Sequence, residues 1–249
     1  MKKIIFIAYF LLSFVGIGQN NALFEQGKEQ YKAEKYQEAI ANWMKILESG
    51  QHSAALYFNI ANAHYKLHHI GPSIYYYEKA LQLSPNDSEI KNNLSFAQNA
   101  TVDAIEPLPK TFFAKWDEKL SQWLTFNGWA WVSVIAVFMF AFLFLSYYFS
   151  MDSRKKRLFF VGSLLTVLIL VTALPMAFRM YHKAATVDNA IVYAEAVEVK
   201  NEPKMKAETM FTIHEGTKVK ILGKQEDWCR ISLADGKDGW IPFNDIKEL

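Results

Sequence analysis

The 249-residue chain is 51% apolar, more than an ordinary soluble domain, and its length suits two or three small domains. A net charge of +2, with basic residues dispersed except at one loop, argues against a nucleic-acid partner. A single cysteine, Cys229, excludes an internal disulfide framework; no His or Lys adjoins it in an apolar-alternating stretch, so it reads as a small buried hydrophobe.

Residues 1–18, MKKIIFIAYFLLSFVGIG, read as a signal sequence. Lys2 and Lys3 form the charged start, Ile4 to Val15 the apolar core, and Gly16-Ile17-Gly18 a small-residue cleavage site. Left uncleaved, the segment becomes an anchor with residue 20 onward still outside.

Residues 21–100 carry a repeat of period 34. Gly27 falls on Ala61, Tyr31 on Tyr65, Lys32 on Lys66, Ala39 on Ser73, Ile40 on Ile74, Trp43 on Tyr77 and Leu47 on Leu81. Small residues alternate with large ones as helix pairs require: Gly27 or Ala61 admits the partner helix, and Trp43 or Tyr77 fills the gap. KYQEAIANWMKIL and SIYYYEKALQLSPND resemble the second helices of tetratricopeptide repeats, with Pro85 as the inter-repeat turn. Gln30 and His64 depart from that pattern by standing where an aromatic is usual, and Pro72 sits just inside a second helix, where its missing N–H is harmless. SEIKNNLSFAQNA, with Ile90, Leu94 and Ala97 on one face, reads as a capping helix. Two repeats bury little surface, so self-association or a partner is expected to complete the array.

The period places Lys28, Asn62 and Phe96 in one row and Tyr31, Tyr65 and Asn99 in another, beside Lys32 and Lys66. In resembling proteins such rows line a concave groove, which implies a site for an extended or C-terminal peptide. His64, His68 and His69 have no Cys, Asp or Glu beside them and are not read as a metal site.

Residues 101–110, TVDAIEPLPK, read as a short stiff linker. Residues 111–126 then form an amphipathic helix at the membrane interface: Phe112, Phe113, Trp116, Leu120, Trp123 and Leu124 lie on one side, Lys115, Asp117, Glu118, Lys119 and Gln122 on the other. Residues 129–149 and 158–178 are apolar runs without a charge, each long enough to span about 30 Å of hydrocarbon. The loop between them, 150–157, carries Arg154, Lys155, Lys156 and Arg157 against Asp152, which puts it in the cytoplasm and both flanks outside. Only Ser and Thr are polar within the spans, so the hairpin is an anchor, or a packing surface through Gly162 and Ser163, and not a conduit.

Residues 189–249 alternate in short strands with turns at Glu215-Gly216, Leu222-Gly223 and Asp235-Gly236, the pattern of a small barrel. FTIHEGTKVKILGKQEDWCRISLADGKDGWIPF resembles a bacterial SH3 domain through its Glu-Gly-Thr turn, Val-x-Ile strand, strand-opening Trp228 and Gly-Trp-Ile ending. Trp228 is expected in the core, and Trp240 and Phe243 on a face for a peptide or a peptidoglycan strand. The paired tryptophans and Tyr-rich first loop of proline-binding SH3 domains are absent from the sequence.

The fold class is thus multi-domain: an α-helical tetratricopeptide array, a two-helix transmembrane hairpin and a small all-β SH3-like barrel. No nucleophile–base pair, phosphate-cradling loop or metal set stands out, so no catalysis and no cofactor are expected. The order of modules resembles the BatE-type proteins of the bacterial Bat aerotolerance operon. That resemblance implies a two-pass inner-membrane scaffold with both domains periplasmic, whose partners are Bat membrane proteins of von Willebrand A type, or their peptide tails, beside a MoxR-type ATPase. The competing expectation is a peptidoglycan binder that recruits or regulates a wall enzyme.

Overall fold

The computed structural model describes residues 20–109, 111–121, 123–185 and 189–249. The expected signal sequence, 1–18, lies outside them. The described chain divides into two compact units, one formed by the segments up to Leu108 and from residue 189, the other by the segment between.

Among the described residues, the first unit begins with five helices: α1 (residues 20–32), α2 (Tyr36–Glu48), α3 (Ala54–Lys66), α4 (Ile70–Leu83) and α5 (Ser88–Asn99). α1 and α3 start 34 residues apart, as do α2 and α4, so the period read in the sequence is the spacing of two helix pairs. Buried at the crossings are Ala39, Trp43, Ala61, Ser73, Ile74, Tyr77 and Ala80. A Cβ on Gly27 would lie 2.3 Å from the Trp43 indole Nε1, so the small residue is what lets α2 approach. The indole Nε1–H donates to the Phe24 carbonyl at 3.2 Å, and buried Asn42 donates to Gln30 Oε1 at 2.8 Å. Gln30, standing where an aromatic is usual, thus satisfies a buried amide. Asp87 caps α5, accepting from Glu89 and Ile90 N–H, and Ile90, Leu94 and Ala97 are the buried face of that helix.

After α5 the chain does not run free. Residues 101–108, expected as a spacer, are tied to the C-terminal sheet: Asp103 accepts from the His214 and Thr217 side of it, and Leu108 N–H donates to the Ala234 carbonyl at 3.0 Å.

Seven antiparallel strands follow: β1 (Asn189–Val192), β2 (Ala196–Lys200), β3 (Thr209–His214), β4 (Lys218–Gln225), β5 (Trp228–Ser232), β6 (Asp238–Pro242) and β7 (Ile246–Glu248). Their order is β3-β2-β6-β5-β4-β1-β7. Inward residues Val192, Val197, Val199, Ile213, Val219, Cys229, Ile231 and Ile241 form one core. Two corrections come from strand geometry. Leu222-Gly223 is not a turn; β4 continues through it with a bulge between Ile221 and Gly223, and the turn falls at Glu226-Asp227. Trp228 is only half-buried, because its neighbour Cys229 points inward and successive residues of a strand face opposite ways.

The second unit holds α6 (Phe112–Ser121), α7 (Phe126–Phe149) and α8 (Ser153–Ala185). α7 and α8 form a helical hairpin, and each is long and apolar enough to cross a membrane. Its turn is shorter than expected: α8 begins at Ser153, where Asp152 Oδ1 accepts from Arg154 N–H at 2.7 Å, so Arg154 to Arg157 form the first helical turn. Small residues line the helix contact. Ala136 and Ala173 are buried, and Gly162 meets Leu143. Buried Ser133, Ser163 and Thr166 each donate to a carbonyl of their own helix, so these three hydroxyls are satisfied in an apolar setting. Aromatic rings mark both ends, Phe126 against Tyr181 at one and Tyr147 against Phe160 at the other.

Candidate functional site

The first and third helices of the repeat, with α5 behind them, present their exposed faces side by side. There Tyr31, Asn62, Tyr65, Lys66, Tyr77, Asn93 and Phe96 line a depression of about 230 Å³. Five of these, Tyr31, Asn62, Tyr65, Lys66 and Phe96, are residues that the 34-residue spacing puts in the groove rows. They meet because each repeats the same helical position one unit further along. Lys28 and Lys32 are not among the lining residues. Both are held along α1 by ion pairs one turn back, Lys28 to Glu25 and Lys32 to Glu29, each at 2.9 Å. Asn93 and Tyr77 come from positions outside the first-helix rows, and spacing alone does not flag them.

Asn62 is the hub of the depression. Its Oδ1 accepts from the Tyr77 hydroxyl and from Asn93 Nδ2, the latter at 3.0 Å. Both acceptor lone pairs are thereby used, so the hydrogen-bonding groups Asn62 has left are the two N–H donors of its amide nitrogen. Burial pushes the Tyr77 hydroxyl well above its ordinary range, so it stays protonated and donating. The Tyr31, Tyr65 and Phe96 rings supply apolar walls, and Lys66 a cation at the rim. Donors, aromatic walls and one positive charge suit an extended peptide with an acceptor or carboxylate at that point.

The opposite side of the stack is covered by the sheet. Ile191 of β1 is fully buried in the stack's own core, beside Tyr75 and Ile74. Glu215 Oε1 accepts from Gly71 N–H at 2.8 Å, Lys218 pairs with Glu78 at 2.7 Å, and the Lys247 ammonium lies 4.6 Å from the Tyr75 ring and 5.4 Å from that of Tyr193. Gly216, at φ +87°, packs against Thr101, Ile74 and Ile70. The short array therefore buries one side of α4 against its own C-terminal module.

Two titrating groups sit at this junction. Burial, then the nearby His69 and Lys247, pull His64 down to about 4. Its Nδ1 faces that of His69, not His68, at 3.4 Å, and its ring stacks on Tyr76. Burial would raise the Asp103 carboxyl, but donors outweigh it and hold it below the usual range: the Thr217 hydroxyl at 2.5 Å, the His214 ring at 2.7 Å and His214 N–H at 2.6 Å.

On the sheet, Trp240 is half-buried on β6, paired across the strands with Arg230 and Lys200. Phe243 packs partly into the sheet's core, with the Lys224 ammonium 4.7 Å from its ring. The two are thus unequal as surface: Trp240 lies on the outer face of the sheet, while Phe243 also contributes to packing.

Residues 54–87 match the family model of the tetratricopeptide repeat, and residues 195–245 that of the bacterial SH3 domain. A comparison with curated proteins gives no match. Among solved structures, the C-terminal SH3 domain of myosin IB from Entamoeba histolytica is 30% identical over 22% of this chain and 90% of its own, with a TM-score of 0.16. Neither family model is that of an enzyme; both modules are typical of protein–protein interaction. The chain joins a tetratricopeptide repeat and a bacterial SH3 domain in one compact unit, and its other unit holds two helices compatible with a two-pass membrane protein.

Proposed function

We propose that the protein is a non-catalytic membrane adaptor that presents a peptide groove outside the cytoplasmic membrane. One observation carries this: the segments before and after the apolar hairpin fold together into a single unit, which requires both to emerge on the same side. The four cations of the first α8 turn add support. At a helix N-terminus each is disfavoured by about 0.3–1 kcal/mol, so helix stability does not account for them, whereas retention in the cytoplasm does. The hairpin turn is then inside, the tetratricopeptide–SH3 unit outside, and a bacterial SH3 domain fits a periplasmic setting. The groove's partner is a peptide tail of another membrane protein. The resemblance to BatE-type proteins points to von Willebrand A type Bat partners, with a role in stress or oxygen tolerance.

Crosslinking in intact membranes, followed by purification in detergent, tests this reading. The expected result is a membrane protein captured by the native chain and lost when Lys66→Glu is combined with Phe96→Ala. Equal capture by that double variant would sink the groove as the site. A second reading, peptidoglycan binding, is favoured by Trp240 on the outer face of the sheet, flanked by Arg230 and Lys200. It predicts cosedimentation of the whole unit with purified wall material, weakened by Trp240→Ala.

A further inference from the structure

We propose that α6 lies in the membrane–water interface and that its partner is a zwitterionic lipid surface, an inference that rests on reading α7 and α8 as lipid-spanning. Leu120 and Leu124 pack against Trp129, Ala173, Met176 and Ala177, so the C-terminal end of α6 is fastened to one end of the hairpin. Thr125 caps α7 by accepting from Gly128 N–H, which makes the junction between the two helices tight.

With its leucines held this way, α6 leaves Trp116 and the following Trp123 largely exposed, at 60% and 64%, and the Phe112 ring touches Trp116. Large aromatics grouped at a helix surface mark an interaction site. These lie at the end of the hairpin where Phe126 meets Tyr181, the chain position where tryptophan and tyrosine gather at headgroup depth. Their continuity with the exposed apolar flank of α7 and α8 argues for lipid as the occupant over a separate protein. Lys115 and Lys119 lie along one edge of the aromatic arc and are exposed, with stems long enough to carry their charges back to water. The helix contains Lys115, Lys119, Asp117 and Glu118 and so has no net charge. Its attraction to the bilayer comes from aromatic burial and needs no anionic lipid.

The full chain in vesicles of phosphatidylcholine tests the assignment through nitroxide labels on single-cysteine sites, native Cys229 being buried and the unsubstituted chain serving as blank. Collision with oxygen, which concentrates in lipid, is compared with collision with a water-soluble nickel chelate. Trp116→Cys and Trp123→Cys are each read against Phe142→Cys in mid-α7 and Lys32→Cys on α1. Labels at 116 and 123 are expected to show an oxygen-to-nickel ratio several-fold above that at 32, unchanged when anionic lipid is added. A ratio matching position 32 overturns the proposal, and so does protection from both reagents, which means that protein covers the helix. If position 142 reports lipid while 116 and 123 do not, only the α6 assignment fails; if 142 reports water, the spanning reading fails with it.

Discussion

A methyl group at position 27 is a sensitive probe of the repeat. In a helix interior Gly→Ala gains up to about 1 kcal/mol from propensity alone. Here the new Cβ meets the Trp43 indole at 2.3 Å, and overpacking of that kind costs about 1–3 kcal/mol. Gly27→Ala should therefore lower the melting temperature of the tetratricopeptide–SH3 unit; a rise would mean that α1 and α2 are not in close contact. His64 makes a second prediction at this scale. Its pKa falls from 6.5 to about 4 on folding, so the unfolded chain takes up the proton first as pH drops. The stability it contributes is complete above about pH 6.5 and is lost as pH falls toward 4, by at most about 3 kcal/mol. Asp103 extends the acid sensitivity below 3.8, since its depressed carboxyl must be protonated against its donors. His64→Phe retains a ring to stack on Tyr76 and removes the titration. The drop in melting temperature between about pH 7 and pH 4.5 should shrink in that variant.

Among the elements, the contact between α4 and β1 distinguishes this protein from two modules on a string. Gly71 allows it: a Cβ there would lie 2.8 Å from Glu215 Cγ and 2.9 Å from the Val192 carbonyl. Gly71→Ala should leave the helices and strands formed while raising hydrogen exchange in α4 and β1 together. If exchange is unchanged, the sheet is not docked on the stack. Ile191→Asp is the harsher test. It buries a carboxylate in the stack's core and should cost at least about 3 kcal/mol, exposing residues 101–108 to protease.

For the whole molecule, orientation is the quantity to measure. A reporter fused after Leu249 and one inserted beside Asp152 should fall in opposite compartments, with the C-terminal one outside. A cytosolic C-terminal reporter would put the tetratricopeptide–SH3 unit on the wrong side for the partners proposed. The single-body arrangement also predicts that removing residues 189–249 destabilises the tetratricopeptide stack, seen as a lower melting temperature of residues 20–100, because Ile191 and Gly216 leave gaps against Ile74 and Tyr75.

Periodicity and composition alone disclosed the two helix pairs, the apolar hairpin and the rows that contain Asn62, Tyr65 and Lys66. Each follows from a repeat in which one residue type recurs at one helical or strand position, so local order is enough. The same reasoning misplaced Leu222-Gly223 and Trp228, because a bulge and the inward turn of Cys229 are settled by pairing across strands. It also missed Tyr77 and Asn93 as partners of Asn62, and Asp103 as the acceptor for His214 and Thr217, residues more than a hundred positions away. Contacts between elements so distant leave no periodic trace in the chain; they arise only when both folded surfaces exist and bury one another.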